Sequence, residues 1–279
     1  MASRLATPRA RALGFGLRAA RDTRGFGLRQ LARMVGVTPQ ELSHWEVGTR
    51  IPTVAQVGLL LGAMRVEPVE RKRLLSLAEN AREPNWVELA RAPEVAAFVE
   101  YERAASTVIN WEPLLVPGIL QTGEYTEALF AEADGLNPGT VEDCVAIRAR
   151  RRELLRGQDP LNYIVFVGEG ALRGGLARPR PMSGQLTHLV SMSEWTNVSI
   201  RVLPMSLGFH PGLFGPFAIL DFWNLPSIVH LEGYCGSSYL YDDREVAAYR
   251  AAAGRMRKLA LSEDESRAFI QGVIADLEA

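Results

Sequence analysis

The sequence predicts an all-α helix-turn-helix domain followed by an α+β domain with a small sheet. Three observations carry this. Residues 31–52 read LARMVGVTPQELSHWEVGTRIP, two short amphipathic segments joined at a glycine. Arginine is concentrated in the first quarter of the chain, while the remainder is acidic. After Leu161 the apolar period shortens from helical to strand-like, in runs rich in Val, Ile and aromatics.

The head reads as five short helices. Residues 1–9 form an arginine-bearing arm. A first helix spans about 11–23, with Leu13, Leu17 and Ala20 as its inner stripe and Arg18 and Arg21 outside it. Gly25 and Gly27 break the chain before a second helix over about 28–35. Gly36 stands where the tight turn between helices wants φ > 0. Thr38 is placed to cap the third helix, about 39–47, with Pro39 at its first position, where a missing N–H costs nothing. Leu42 and Trp45 then face inward and Gln40, Ser43 and His44 outward. Gly48 ends this helix. Thr53 caps a fourth, buried through Val54, Val57, Leu60 and Leu61, and Pro68 opens a fifth to about Glu79.

The polar, proline-bearing stretch 80–93 (NAREPNWVELARAP) marks a hinge, with Trp86 and Leu89 docking on one side. A long helix is expected over about 94–110, carrying Phe98, Tyr101, Ala105 and Ile109 at helical spacing. The domain limits are therefore 1–83 for the head, 84–110 for a connecting helix and 111–279 for the second domain. There, Thr122 caps a helix bearing Tyr125, Leu129 and Phe130, and another helix runs over about 141–155 with Arg148, Arg150, Arg151 and Arg152. Those arginines stand near Glu142, Asp143 and Glu153, which favours a solvated or salt-bridged face over a phosphate site. LNYIVFVGEGAL, VSIRVLPM, GPFAILDF and SIVHLEGY are four strand-like runs, with helices over about 183–193 and 243–261. Ser262 and Glu265 make a capping box for a last helix.

Ten arginines, no lysine and three acids (Asp22, Glu41, Glu46) give residues 1–66 a formal charge of +7, so in a chain of net charge −1 the remainder carries −8. A basic head on an acidic body is the electrostatic footprint of a module that binds polyanionic DNA. No apolar run is long enough to span a membrane, and the basic N-terminus lacks the apolar core of a secretory signal. Cys144 and Cys235 are far apart and read as reduced thiols of a cytoplasmic protein. No Cys/His cluster has zinc spacing and no phosphate loop is present, so no metal ligand or cofactor is expected.

Gln40, Ser43 and His44 are the residue types that read base edges from a major-groove helix. Arg18, Arg29 and Arg50 supply salt-dependent phosphate contacts. The partner would be double-stranded DNA, bound by a homodimer that sets two third helices about 34–36 Å apart. Three readings stay open for the second domain: a docking platform for a protein, a small-molecule sensor, and an enzyme. The loop GFHPGLFGPF, with Phe209, His210, Phe214 and Phe217, is the surface expected to meet a partner or ligand. Glu169, His210, Glu232 and Cys235 are the candidate acid, base or nucleophile groups. No pair of them has a catalytic spacing, so no catalytic residue is assigned.

The first domain resembles the XRE family of phage-repressor-like helix-turn-helix regulators, through LARMVGVTPQELSHWEVGTRIP. The resemblance implies that Pro39, Gln40, Ser43 and His44 lie at base-contacting positions and that Thr38 and Arg50 hold phosphates. Where the family often carries a polar residue near the start of the second helix, this chain has Gly27-Leu28-Arg29, and Arg29 is the expected substitute. The remainder is similar to the second domain of an actinobacterial, antitoxin-like group of these regulators. WEPLLVPGILQTGEYTEALF, VGEGALR, IRVLP, GFHPGLFGPFAILDF, VHLEG and LALSEDES carry that likeness, in order over residues 111–266. It implies a transcriptional regulator encoded beside a small protein that binds the second domain.

Overall fold

In a computed structural model, residues 7–79, 81, 87–89, 97–131, 138–174, 179–233 and 236–278 are described. The chain divides into two compact units, one of residues 1–104 with 233–239, the other of residues 105–232 with 240–279. Of the arm expected over residues 1–9, residues 1–6 lie outside the described residues, as do the side chains of Trp86 and Leu89, while Thr7 to Arg9 are corrected to the cap and first turn of the first helix.

The first unit holds α1 (Pro8–Thr23), α2 (Leu28–Val35), α3 (Pro39–Val47), α4 (Val54–Ala63), α5 (Pro68–Glu79) and α6 (Ala97–Ala104). α1 starts three residues earlier than its apolar stripe suggests, because the Thr7 hydroxyl accepts the Ala10 N–H at 3.1 Å and Pro8 opens the helix. Leu13, Leu17 and Ala20 are buried along it as expected. Arg21, expected outside, is buried instead, and its Nε and Nη2 reach the two carboxylate oxygens of Glu46 at 2.6 and 2.9 Å. α6 is held by an ion pair of 2.9 Å between Arg73 of α5 and the buried Glu100. The Tyr101 hydroxyl donates to the Pro8 carbonyl, and its ring meets those of Phe15 and Tyr239 with centroids 5.8 and 5.3 Å away. A short strand β1 (Val87–Leu89) pairs antiparallel with a late one, β7 (Gly236–Leu240).

The connecting helix expected over 94–110 is corrected. It ends at Ala104, and β2 (Thr107–Glu112) follows at once. Thr107, Val108 and Ile109 are β-branched and suit a pleated strand, and pairing on both edges decides the matter: β2 lies between β3 (Asn162–Gly168) and β5 (Phe217–Asp221). Within the second unit the strand order is β6-β5-β2-β3-β4, where β4 is Val198–Leu203 and β6 is Ile228–Gly233. β2, β3 and β4 are parallel to one another, while β5 and β6 are each antiparallel to their neighbours.

The crossover from β2 to β3 contains α7 (Gly123–Ala131) and α8 (Pro138–Arg152), and the next contains α9 (Glu169–Arg173) and α10 (Pro179–Met192). Both step the same way across the sheet, so right-handed crossovers put these helices on one face. The other face carries Trp111, Phe166, Phe217, Ile219 and Val229, packed against Val246, Ala253 and Met256 of α11 (Asp243–Leu259). The last helix, α12 (Glu263–Glu278), opens with the expected box, in which the Ser262 hydroxyl accepts the Glu265 N–H and the Glu265 carboxylate accepts the Ser262 N–H. The outer edge of β4 is closed locally: Leu261 N–H donates to the Val202 carbonyl, and Val202 N–H donates to the buried Ser266 hydroxyl.

α1 crosses α3 at Gly14, where a Cβ would lie 2.6 Å from the carbonyl oxygens of Trp45 and Glu46. Backbone atoms cannot yield as a flexible side chain does. Gly14→Ala is expected to cost about 1–3 kcal/mol, read as a lower midpoint in urea or thermal unfolding, with the loss confined to the first unit.

Candidate nucleic-acid interface

The turn between α2 and α3 is built from local rules. Gly36 takes φ 72°, and Val37 N–H returns to the Ala32 carbonyl at 3.0 Å, closing α2. Thr38 then caps α3 reciprocally: its hydroxyl accepts the Glu41 N–H at 3.1 Å, and the Glu41 carboxylate accepts the Thr38 N–H at 3.0 Å. Those bonds to Thr38, aided by the charge of Arg50, hold the Glu41 carboxyl below its ordinary pKa. α3 ends at Gly48, at φ 80°, where the Arg50 N–H and the Thr49 hydroxyl both donate to the His44 carbonyl at 3.2 Å.

α3 has two stripes. Leu42, Trp45 and Glu46 are buried, and Glu46 is the carboxylate that receives Arg21 from α1. Gln40, Ser43 and His44 share the other side at i, i+3, i+4 spacing, with Gln40 exposed and Ser43 and His44 half-buried. Pro39 is exposed at the first turn, and Thr38 is exposed with its hydroxyl committed to the cap. Arg29 and Arg50 are exposed, the first in the first turn of α2 and the second just beyond α3. Arg18 lies on α1, exposed, with Asp22 one turn on at 3.7 Å. The positive charge available to a polyanion is smaller than composition suggests, because Arg11 and Arg21 are buried.

Gln30 is a residue the sequence reading passed over. It is exposed in the first turn of α2, and its side-chain oxygen accepts the Gly27 N–H at 3.4 Å. It stands beside Arg29 as a second exposed polar side chain near the start of α2. Its position one residue past Arg29, three after the capping glycine, was the available signal.

The loop expected to meet a partner divides into exposed and buried parts. Phe209 and Phe214 are 69% and 86% exposed and stand edge to face with centroids 6.2 Å apart. Met205 and Leu213, in the 3-10 turns on either side of Phe209, are also exposed. His210 is buried with its ring edge-on to Trp111 at 5.7 Å, and Phe217 is buried in the core against Tyr249. The loop is anchored by the Trp111 indole N–H, which donates to the Gly212 carbonyl at 2.8 Å. Of the groups considered for acid–base chemistry, Glu169 accepts from Arg173 and from the Met205 N–H, both at 2.9 Å, so it ties α9 to the loop. Glu232 is exposed, and Cys235 lies outside the described residues. Among the described residues no helix is long and apolar enough to cross a membrane.

Two family models match the chain. One described as a domain of unknown function (DUF5753) matches residues 95–272, and one described as helix-turn-helix (HTH_3) matches residues 17–71. No curated protein and no solved structure matches it. The second model covers α2, the Gly36 turn and α3, the elements built above from caps and packing, and it fits a DNA-binding regulator of the XRE type.

The hold of α1 on α3 depends on a charge pair taken out of water. Glu46→Gln leaves Arg21 without its full counter-charge and is expected to cost about 3 kcal/mol. Denaturant unfolding of the variant reads this directly, and an unchanged midpoint would show that the pair adds nothing.

Proposed function

The chain belongs to the DUF5753 family and carries an XRE-type helix-turn-helix, and from that premise we propose a sequence-specific transcriptional regulator whose second domain binds a small protein partner. The observation that carries the DNA half is the pair of stripes on α3. One side is fixed to α1 through Leu42, Trp45 and the Arg21–Glu46 pair, which leaves Gln40, Ser43 and His44 outward on a helix of nine residues. A short rigid helix with an uncharged polar face suits the major groove, where donor and acceptor patterns differ for every base pair.

In this reading Gln40 makes the bidentate contact to adenine, and His44 contacts guanine or a phosphate. Arg29, Arg50, Arg18 and Thr38 fix register on the backbone, and Pro39 packs against the groove edge without a polar contact. A homodimer would place two such helices one turn of DNA apart. Likeness to the actinobacterial, antitoxin-like regulators supports a partner encoded close by.

The surface for that partner is the exposed set Met205, Phe209, Leu213 and Phe214, held out on a loop whose base is locked by Trp111 and Glu169. Exposed aromatic pairs on a fixed scaffold are the usual anchors of protein interfaces. His210 and Phe217 support the loop from beneath.

Two measurements test these halves separately. Titration of the full chain against DNA from its own upstream region and random DNA of equal length should show tight, salt-sensitive, selective binding. Gln40→Ala should lose about 1–3 kcal/mol on the cognate site and little on random DNA; equal loss on both removes Gln40 from direct readout. The double variant Phe209→Ser, Phe214→Ser should keep operator affinity while losing co-purification with the protein encoded beside it. Retained co-purification would place the partner surface elsewhere.

A further inference from the structure

The sheet face opposite the Trp111 core carries a polar cluster used by neither the recognition helix nor the aromatic loop. Strand pairing lines up Asn110, Ala218 and His230 across β2, β5 and β6. Two residues further in the same direction, on the same face, come Glu112 of β2 and Glu232 of β6. α8 brings Arg148 and Arg151 to this group and α7 brings Tyr125. Arg151 acts electrostatically on both Glu112 and His230, Glu232 acts on Glu112 and Arg148, and Glu112 acts on Tyr125. At Gly118 a Cβ would come within 2.9 Å of Arg151 Nη1 and 3.7 Å of Arg148 Nε, so the missing side chain leaves room for both guanidiniums.

Exposure falls in steps through the cluster. Glu232 is exposed, Glu112, Arg148 and Arg151 are half-buried, and Tyr125, Asn110 and His230 are buried. The floor is polar as well: the Asn110 amide donates to the Tyr163 hydroxyl at 3.0 Å and lies 3.5 Å from Glu112 Oε1. Burial and the nearby Glu232 push the Glu112 carboxyl up to about 8, so it is a neutral donor at pH 7. Burial and Arg151 push His230 down to about 3, so its imidazole is uncharged there. Arg148 is held in the cluster by its Nε donating to the Gln121 side-chain oxygen at 2.7 Å and by its place over the Phe130 ring. Two guanidiniums share the cluster with Glu232, its second carboxylate. Their crowding shows in Arg148, whose pKa is lowered by burial and then by Arg151. An anion would relieve that repulsion.

We propose that Arg148, Arg151, Tyr125 and Glu112 form a proton-linked binding site for a small oxyanion, a carboxylate or tetrahedral oxyanion, over a floor of Asn110 and His230. The guanidiniums supply charge-assisted donors, while Tyr125 and the protonated Glu112 supply neutral ones. Above pH 8 Glu112 ionises beside the anion and repels it, so affinity falls with rising pH; a bound ammonium compound would show the reverse. The site has a direct route to the head. β2 follows α6 and β6 continues into residues 233–239, and both of those segments belong to the compact unit of the helix-turn-helix. Its role as the effector site rests on the regulator reading; the binding itself does not.

Isothermal titration of the full chain with sulfate, and separately with succinate, at constant ionic strength in chloride from pH 7 to 9.5, tests this with dianions whose own charge is constant. Saturable binding of at least one is expected, weakening by up to about tenfold per pH unit above pH 8. The probe that binds distinguishes a tetrahedral ligand from a carboxylate. Arg151→Met should abolish this binding while leaving anion binding by the head arginines unchanged. Glu112→Gln should bind without the alkaline fall, and it decides the matter if Arg151→Met does not fold. Equal binding in Arg151→Met, affinity that rises above pH 8, or no binding beyond the chloride control would each overturn the proposal. Binding that leaves operator affinity unchanged would keep the site and remove its effector role.

Discussion

The Arg21–Glu46 pair is the interaction on which the reading head depends. A nine-residue helix has little stability of its own, since nucleation fixes several dihedrals for each early hydrogen bond. α3 therefore holds its shape through what it packs on. Leu42 and Trp45 supply area but little direction. The bidentate guanidinium–carboxylate contact supplies direction, because two parallel hydrogen bonds at 2.6 and 2.9 Å fix rotation as well as distance. Arg21 also donates to Asp22 and to the Phe26 carbonyl, at 2.6 and 3.0 Å, so one side chain joins the end of α1, the following loop and α3. Gly14 makes that geometry possible by letting the α3 backbone approach α1 without a side chain between them.

The same pair shows why charge composition overstates the electrostatics of DNA binding. Arg11 and Arg21 count toward the +7 of the first 66 residues, yet both are buried. Arg24 pairs with Glu70 at 3.1 Å. The arginines left in solvent, among them Arg18, Arg29, Arg33, Arg50 and Arg65, would carry the counterion-release term. A formal charge thus bounds that term from above, and burial decides how much of it acts outside the molecule.

The head was legible almost to the residue because its signals are local. Gly36, Thr38, Pro39, Gly48 and Thr53 each act within one helical turn, and the end of α2, both limits of α3 and the start of α4 fall where those residues mark them. What escaped was set by distant partners. Phe98, Tyr101, Ala105 and Ile109 keep a helical period, yet Ile109 faces Ile164 and Ile219 in neighbouring strands. β7 pairs with residues far back in the chain, at 87–89. Glu112 and His230 stand far apart in sequence, and only the order β6-β5-β2 brings them to one face. Arg148 and Arg151, read as part of a solvated or salt-bridged face, turn out to stand over that face. Long-range pairing has no short-range spacing to announce it.

The boundary between the two family matches and the boundary between the two compact units do not coincide, and the offset has a physical consequence. Residues 97–104 and 233–239 fall inside the DUF5753 match, yet both belong to the unit that contains the helix-turn-helix. They meet there: Tyr101 of α6 packs on Tyr239, and its hydroxyl reaches the Pro8 carbonyl at the start of α1. α1 is the helix that holds α3 through Glu46. α6 leads by covalent backbone into β2, and β6 leads into residues 233–239, so both segments are chain neighbours of the sheet while their packing partners lie in the unit of α1. The Tyr101 contact, with a buried hydroxyl bonded to the first residue of α1 and two ring neighbours, therefore belongs by sequence to the DUF5753 match and by packing to the unit that holds the helix-turn-helix.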